Sequence, residues 1–135
     1  MFRFVSLIAA SFFAFILWII YLANTGSHSI FFELIRGMPY GDKLGHFILF
    51  GILTFLFNFA CRFKHFRINR LRIYYGSFAV FAFAMLEELS QAMVATRTLD
   101  WQDIAADIFG ILFFSWLSTL TNRFILTHLD SHSRN

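Results

Sequence analysis

Apolar side chains run almost without interruption through four stretches of the chain, 4–23, 44–61, 73–94 and 104–122. As helices rising about 1.5 Å per residue, these runs match the roughly 30 Å hydrocarbon layer of a bilayer. The pattern predicts an all-α polytopic membrane protein: four transmembrane helices in a compact bundle, forming a single domain over 1–135. Arg3 ahead of the first run resembles the start of a signal peptide. The run that follows is longer than the roughly 7–15 apolar residues of such a leader, and no small-residue cleavage site comes after it, so it reads as a retained span.

The connections set the expected orientation. Segment 62–72 carries Arg62, Lys64, Arg67, Arg70 and Arg72 and no acid, which places it in the cytoplasm by the distribution of basic residues. An even number of spans then puts both termini in the cytoplasm, in keeping with Arg3 at one end and Arg123 and Arg134 at the other. In the first outward loop, 29–36 suits either a short interfacial helix ended by Gly37 and Pro39 or a phenylalanine-rich loop. The polar tail 127–135 is expected to fray. Gly45, Gly51, Gly76 and Gly110 read as points of close helix packing.

Composition narrows the class further. Of 135 residues, 59% are hydrophobic, 21% aromatic and 14% charged, against about 45–50% apolar and about 25% charged in soluble domains. That surplus excludes an ordinary water-soluble globule. Cys61 is the single cysteine, which excludes an internal disulfide and a zinc ribbon. The net charge of +3 is no argument for nucleic acid, because the bases cluster beside apolar spans, where lipid head groups are the natural counter-ions.

Ionisable groups inside spans cost about 2.5–3.5 kcal/mol each at a helix centre, so each calls for a partner or a task. Nearly all of them fall in three segments, 41–46, 87–91 and 97–107. In the expected orientation His46 lies about 5 Å inside its helix end, Glu88 about 9 Å, and Asp107 about 5 Å beyond Asp103, so the three segments meet in the outer third of the bilayer. Helical spacing gives each a polar stripe: Asp42 with His46, Glu88 with Gln91, Asp103 with Asp107. A shared cavity follows, with Glu88 as acid, base or nucleophile activator and His46 as proton acceptor oriented by Asp42. Lys43 and Arg97 sit at its rim as phosphate ligands, Gln91 reads a substrate oxygen, and Asp103 and Asp107 orient Arg97. Each has a plainer alternative: a helix-packing ion pair for Glu88, a snorkelling anchor for Lys43, a helix-start charge for Asp103. No ligand spacing is diagnostic of a metal, so no cofactor is expected; a divalent cation, if held, would take His46, Glu88, Asp103 and Asp107.

Asp42-Lys43-x-x-His46, Glu88-x-x-Gln91, Arg97, and Asp103 followed by Gly110 resemble, in order and spacing, the motifs of the VanZ-like family of small bacterial membrane proteins. The resemblance covers 39–114, with the first span as the usual additional helix; Glu87, Ser90 and Asp107 stand where the family often has Asp, His and Asn. It implies a four-helix unit of the bacterial cytoplasmic membrane, grouped with enzymes acting on phospholipid or polyprenyl-phosphate head groups, and a link to susceptibility to teicoplanin-type glycopeptides. Two other functions fit the same residues. One is a non-catalytic binder of amphiphilic ligands or an envelope scaffold. The other, an ion pathway, is disfavoured because the inner halves of the spans offer mostly Ser, Thr and Asn58.

Overall fold

A computed structural model describes residues 2–25, 37–93 and 99–133. Helix α1 (Phe2–Asn24) leads to α2 (Gly41–Ala60), a two-stranded antiparallel hairpin of β1 (His65–Ile68) and β2 (Leu71–Tyr74), then α3 (Tyr75–Gln91) and α4 (Trp101–Ser133). Three helices, spanning 3–24, 41–60 and 101–127, are long and apolar enough to cross a membrane. The third predicted span is instead a 17-residue helix, α3, because Ile73 and Tyr74 are drawn into strand β2. Segment 29–36 and Arg97 lie outside the described residues.

Local signals explain the element ends. Tyr40 takes a left-handed conformation (φ 58°) immediately before α2, after Pro39. At the other end Arg62 and Phe63 are both left-handed (φ 55° and 54°), and the Phe63 amide donates to the Asn58 carbonyl at 2.8 Å, turning the chain into the hairpin. Asn69, at the first of two loop positions, supplies the positive φ of 54° that a tight hairpin needs. Asp100 caps α4: its Oδ1 accepts the Gln102 amide at 2.9 Å. With no Gly or Pro beyond Gly110, α4 continues to Ser133, well past the expected end at 122 and through much of the tail expected to fray.

The hairpin is amphipathic. Its register pairs Phe66 with Ile73 and Ile68 with Leu71 on one face, and His65 with Tyr74 and Arg67 with Arg72 on the other. Phe66 stacks against Tyr75 and Phe78 of α3, while Ile68 and Leu71 at the tip are exposed.

Helix α2 forms the hub, packing on α1, α3 and, most extensively, α4. Three inward stripes meet: His46, Phe50, Leu53 and Asn58 from α2; Ser77, Val80, Ala84 and Glu88 from α3; Asp107, Ile111 and Ser118 from α4. Each stripe is polar, then apolar, then polar, and the polar positions lie eleven or twelve residues apart, about 17 Å along a helix. The bundle therefore has two polar layers separated by a dry one of Phe50, Leu53, Val80, Ala84 and Ile111, which Ile16 of α1 completes.

The layer beside the hairpin is a hydrogen-bonded clamp. Asn58 Nδ2 donates to Ser77 Oγ (2.9 Å) and Ser118 Oγ (3.1 Å), and Asn58 Oδ1 accepts the Ser77 amide at 2.9 Å. That amide lies in the first turn of α3, where no carbonyl of its own helix can reach it, so a side chain of α2 caps α3. Gly76 makes this possible: a Cβ there would fall 2.5 Å from both the backbone nitrogen and Oδ1 of Asn58.

Candidate functional site

The second polar layer lies at the opposite end, where α2 and α4 begin and α3 ends. Gly110 lets α4 approach α2 so closely that a Cβ would strike the Phe47 carbonyl oxygen. This contact sits one residue from His46 and three from Asp107, and it brings those two side chains together. His46 Nδ1 lies 3.0 Å from Asp107 Oδ1 and 3.9 Å from Glu88 Oε1, while Nε2 lies 3.9 Å from Asp103 Oδ2. The imidazole also stacks on Phe50, the first residue of the dry layer.

Glu88 and Asp107 are shut away from the surface, with side chains 1% and 0% exposed. Glu88 Oε2 and Asp107 Oδ2 have no hydrogen-bond partner among the described residues. Gln91 reaches back one turn: its Nε2 donates to both oxygens of Glu87 (2.9 and 2.8 Å) and lies 3.3 Å from Glu88 Oε1. One amide thus holds two adjacent buried carboxylates in place.

Lys43 is at the rim but is not a free cation. Its ammonium contacts Asp42 at 2.7 Å, Asp100 at 2.5 Å and Asp103 at 2.8 Å. The Lys43 ammonium holds the Asp100 carboxyl below the usual carboxylate range. Asp42, expected to orient His46, instead turns to Lys43, and Asp107 takes its place on the imidazole. One residue of this end has no role in the sequence pattern as read above: Asp100, whose helix-start position before an apolar run is a recognisable capping signal; Glu87, one turn from Gln91 in the sequence, is buried beside Glu88 and bonded by that amide.

Among the described residues, two groups of side chains have the spacing to hold a cation, His46 with Glu88 and Asp107, and Asp42 with Asp100 and Asp103. The second already surrounds the Lys43 ammonium. Chemically, a buried imidazole between carboxylates from two other helices can orient and deprotonate a water or hydroxyl. His46, with 18% of its side chain exposed, is the member open to the rim.

Charge is sharply divided along the molecule. Asp42, Glu87, Glu88, Asp100, Asp103 and Asp107 share this end with Lys43. Phe13 of α1 meets Phe57 while Ile16, further along α1, joins Phe50 and Leu53, so α1 runs antiparallel to α2 and Arg3 falls toward the hairpin end with Arg62, Lys64, Arg67, Arg70, Arg72 and Arg123.

No protein-family model, curated protein or solved structure matches the chain.

Proposed function

We infer that this is a VanZ-like enzyme of the bacterial cytoplasmic membrane, hydrolysing or transferring a group on a phosphate-bearing lipid head group of the outer leaflet. The observation that carries the reading is the meeting of His46, Glu88 and Asp107 from three helices in one buried group at the acidic end. Structural ion pairing alone gives little reason to bury two carboxylates with unpartnered oxygens beside an imidazole.

In this reading α3 is a fourth, short span. Its outward face of Phe78, Phe81, Leu86 and Leu89 is apolar and exposed, as lipid contact requires. The hairpin end, rich in Arg and Lys, is cytoplasmic together with both termini, and the acidic end opens outward. Tyr40 and Trp101, both exposed there, serve as interfacial anchors. The dry layer between the two polar layers favours a one-sided site over an ion pathway.

The proposed reaction uses the His46–Asp107 pair to take a proton from water or an acceptor hydroxyl, with Glu88 as the second carboxyl of the site. Arg97 is the phosphate ligand carried over from the motif; Lys43, held by three carboxylates, acts mainly to order the rim. Purified protein in bilayers of bacterial lipid, including polyprenyl phosphates, should release a product detectable by mass spectrometry. Glu88→Gln and His46→Ala should insert and fold yet lose at least 100-fold in turnover, the scale of a lost general base. Full turnover in both variants would remove the assignment. Saturable binding of unaltered lipid would assign the site to a non-catalytic binder instead.

A further inference from the structure

We propose that His46, Glu88 and Asp107 form a binding site for one divalent transition-metal ion, zinc or manganese in preference to magnesium or calcium. This departs from the metal-free site expected from sequence spacing, and it does so on geometry that linear spacing does not reveal.

The first ground is distance. One ligand atom from each of the three residues lies within 4.8 Å of the others. Nδ1 of His46 is 3.0 Å from Asp107 Oδ1 and 3.9 Å from Glu88 Oε1. With metal–ligand bonds of about 2.1 Å, neighbouring ligand atoms sit about 3.0 Å apart in an octahedral site and about 3.4 Å apart in a tetrahedral one. His46 Nδ1 is at ligand spacing from Asp107 Oδ1, and Glu88 Oε1, at 3.9 Å from it, must move closer to complete the set.

The second ground is the unpartnered oxygens. Glu88 Oε2 and Asp107 Oδ2 are buried and lack hydrogen-bond donors among the described residues, on side chains almost wholly inaccessible to water. The neighbouring acidic trio offers a contrast within the same molecule: Asp42, Asp100 and Asp103 have equivalent spacing, but the Lys43 ammonium lies among them at 2.5–2.8 Å. Among the described residues the inner trio contains no such cation, and a metal ion there would let its carboxylates stay ionised in a low-dielectric setting. The third ground is the imidazole. Magnesium and calcium favour all-oxygen sites, whereas an imidazole suits zinc, and manganese is served by the two carboxylates and tolerates the one nitrogen. With Nδ1 on the metal, Nε2 lies 3.9 Å from Asp103 Oδ2, beyond hydrogen-bond distance but on the side where ligating histidines commonly have a supporting carboxylate.

Three protein ligands leave coordination positions for water or a phosphate oxygen. The ion would thereby offset the surplus of carboxylates that would otherwise repel an anionic head group, and it would lower the pKa of a bound water. The cation site itself does not rest on the lipid reading.

The test uses full-length protein in detergent, stripped with EDTA and titrated with zinc or manganese chloride alone. One equivalent of tightly bound metal is expected by elemental analysis after desalting. Cys61→Ser should retain it, and His46→Ala and Asp107→Asn should each weaken binding at least 10-fold. Should those variants fail to fold, pulsed EPR of manganese-loaded wild-type protein decides: nitrogen modulation from a single imidazole supports the site, and its absence overturns it. Equal binding by well-folded variants, or no site tighter than millimolar, also overturns it. Metal binding without lipid turnover would defeat the enzyme reading and leave the cation site standing; lipid turnover by metal-free protein that binds no added zinc or manganese would do the reverse.

Discussion

Asp100 does two jobs with its two oxygens: Oδ1 accepts the Gln102 amide and Oδ2 accepts the Lys43 ammonium. Because the folded pKa of Asp100 is lowered, its stabilising effect is present above the unfolded value of about 3.9 and is lost as pH falls through the lower folded value. Asp100→Asn should therefore lower the thermal midpoint in detergent at pH 6, with the difference from wild type shrinking toward pH 3. A constant difference across that range would mean that charge has no part in it. Gly110 is a second single-residue pivot. Gly110→Ala must push α4 away from the Phe47 carbonyl, at a cost of about 1–3 kcal/mol for overpacking. It should also separate His46 from Asp107, so activity should fall further than stability.

Among the elements, α3 depends on α2 for its beginning. Asn58→Leu removes the cap on the Ser77 amide and the bonds to Ser77 and Ser118, and should cost about 1–2 kcal/mol, measurable by unfolding in mixed micelles. Asn58→Asp keeps the acceptor but loses both donor bonds and puts an ionisable group in the span, so it should cost at least as much. The apolar runs made the long helices legible in the sequence, since nothing else in the chain sustains such hydropathy. The hairpin was less visible: His65-Phe66-Arg67-Ile68 alternates with period two, but the five bases between 62 and 72 read first as a topology signal. Within the site, the helical stripes hold for His46, Glu88, Gln91, Asp103 and Asp107, whereas Asp42, one turn before His46, is exposed and faces Lys43. The stripes did not identify the partners across helices. Asp42 and Asp107 were equally eligible for His46, and the choice depends on the relative rotation and close approach of α2 and α4, set by Gly110 and Phe47.

For the molecule as a whole, the proposed orientation rests on the separation of acids from bases. Cys61, partly exposed at the hairpin end, is a natural reporter. In intact cells it should resist a membrane-impermeant maleimide. Replacing Lys64, Arg67, Arg70 and Arg72 with Gln should expose it to that reagent in a measurable fraction of molecules, since the charge bias that sets orientation is then largely removed. Labelling unchanged by the four substitutions would place the determinant elsewhere.

The same separation makes the bundle a strong electric dipole aligned with its helices. In an energised membrane that is negative on the basic side, a charge crossing the full field gains or loses about 2.3 kcal/mol per 100 mV. On the proposed topology that voltage favours the arginine-bearing pole on the negative side, and a flipped copy would carry most of its charges against it.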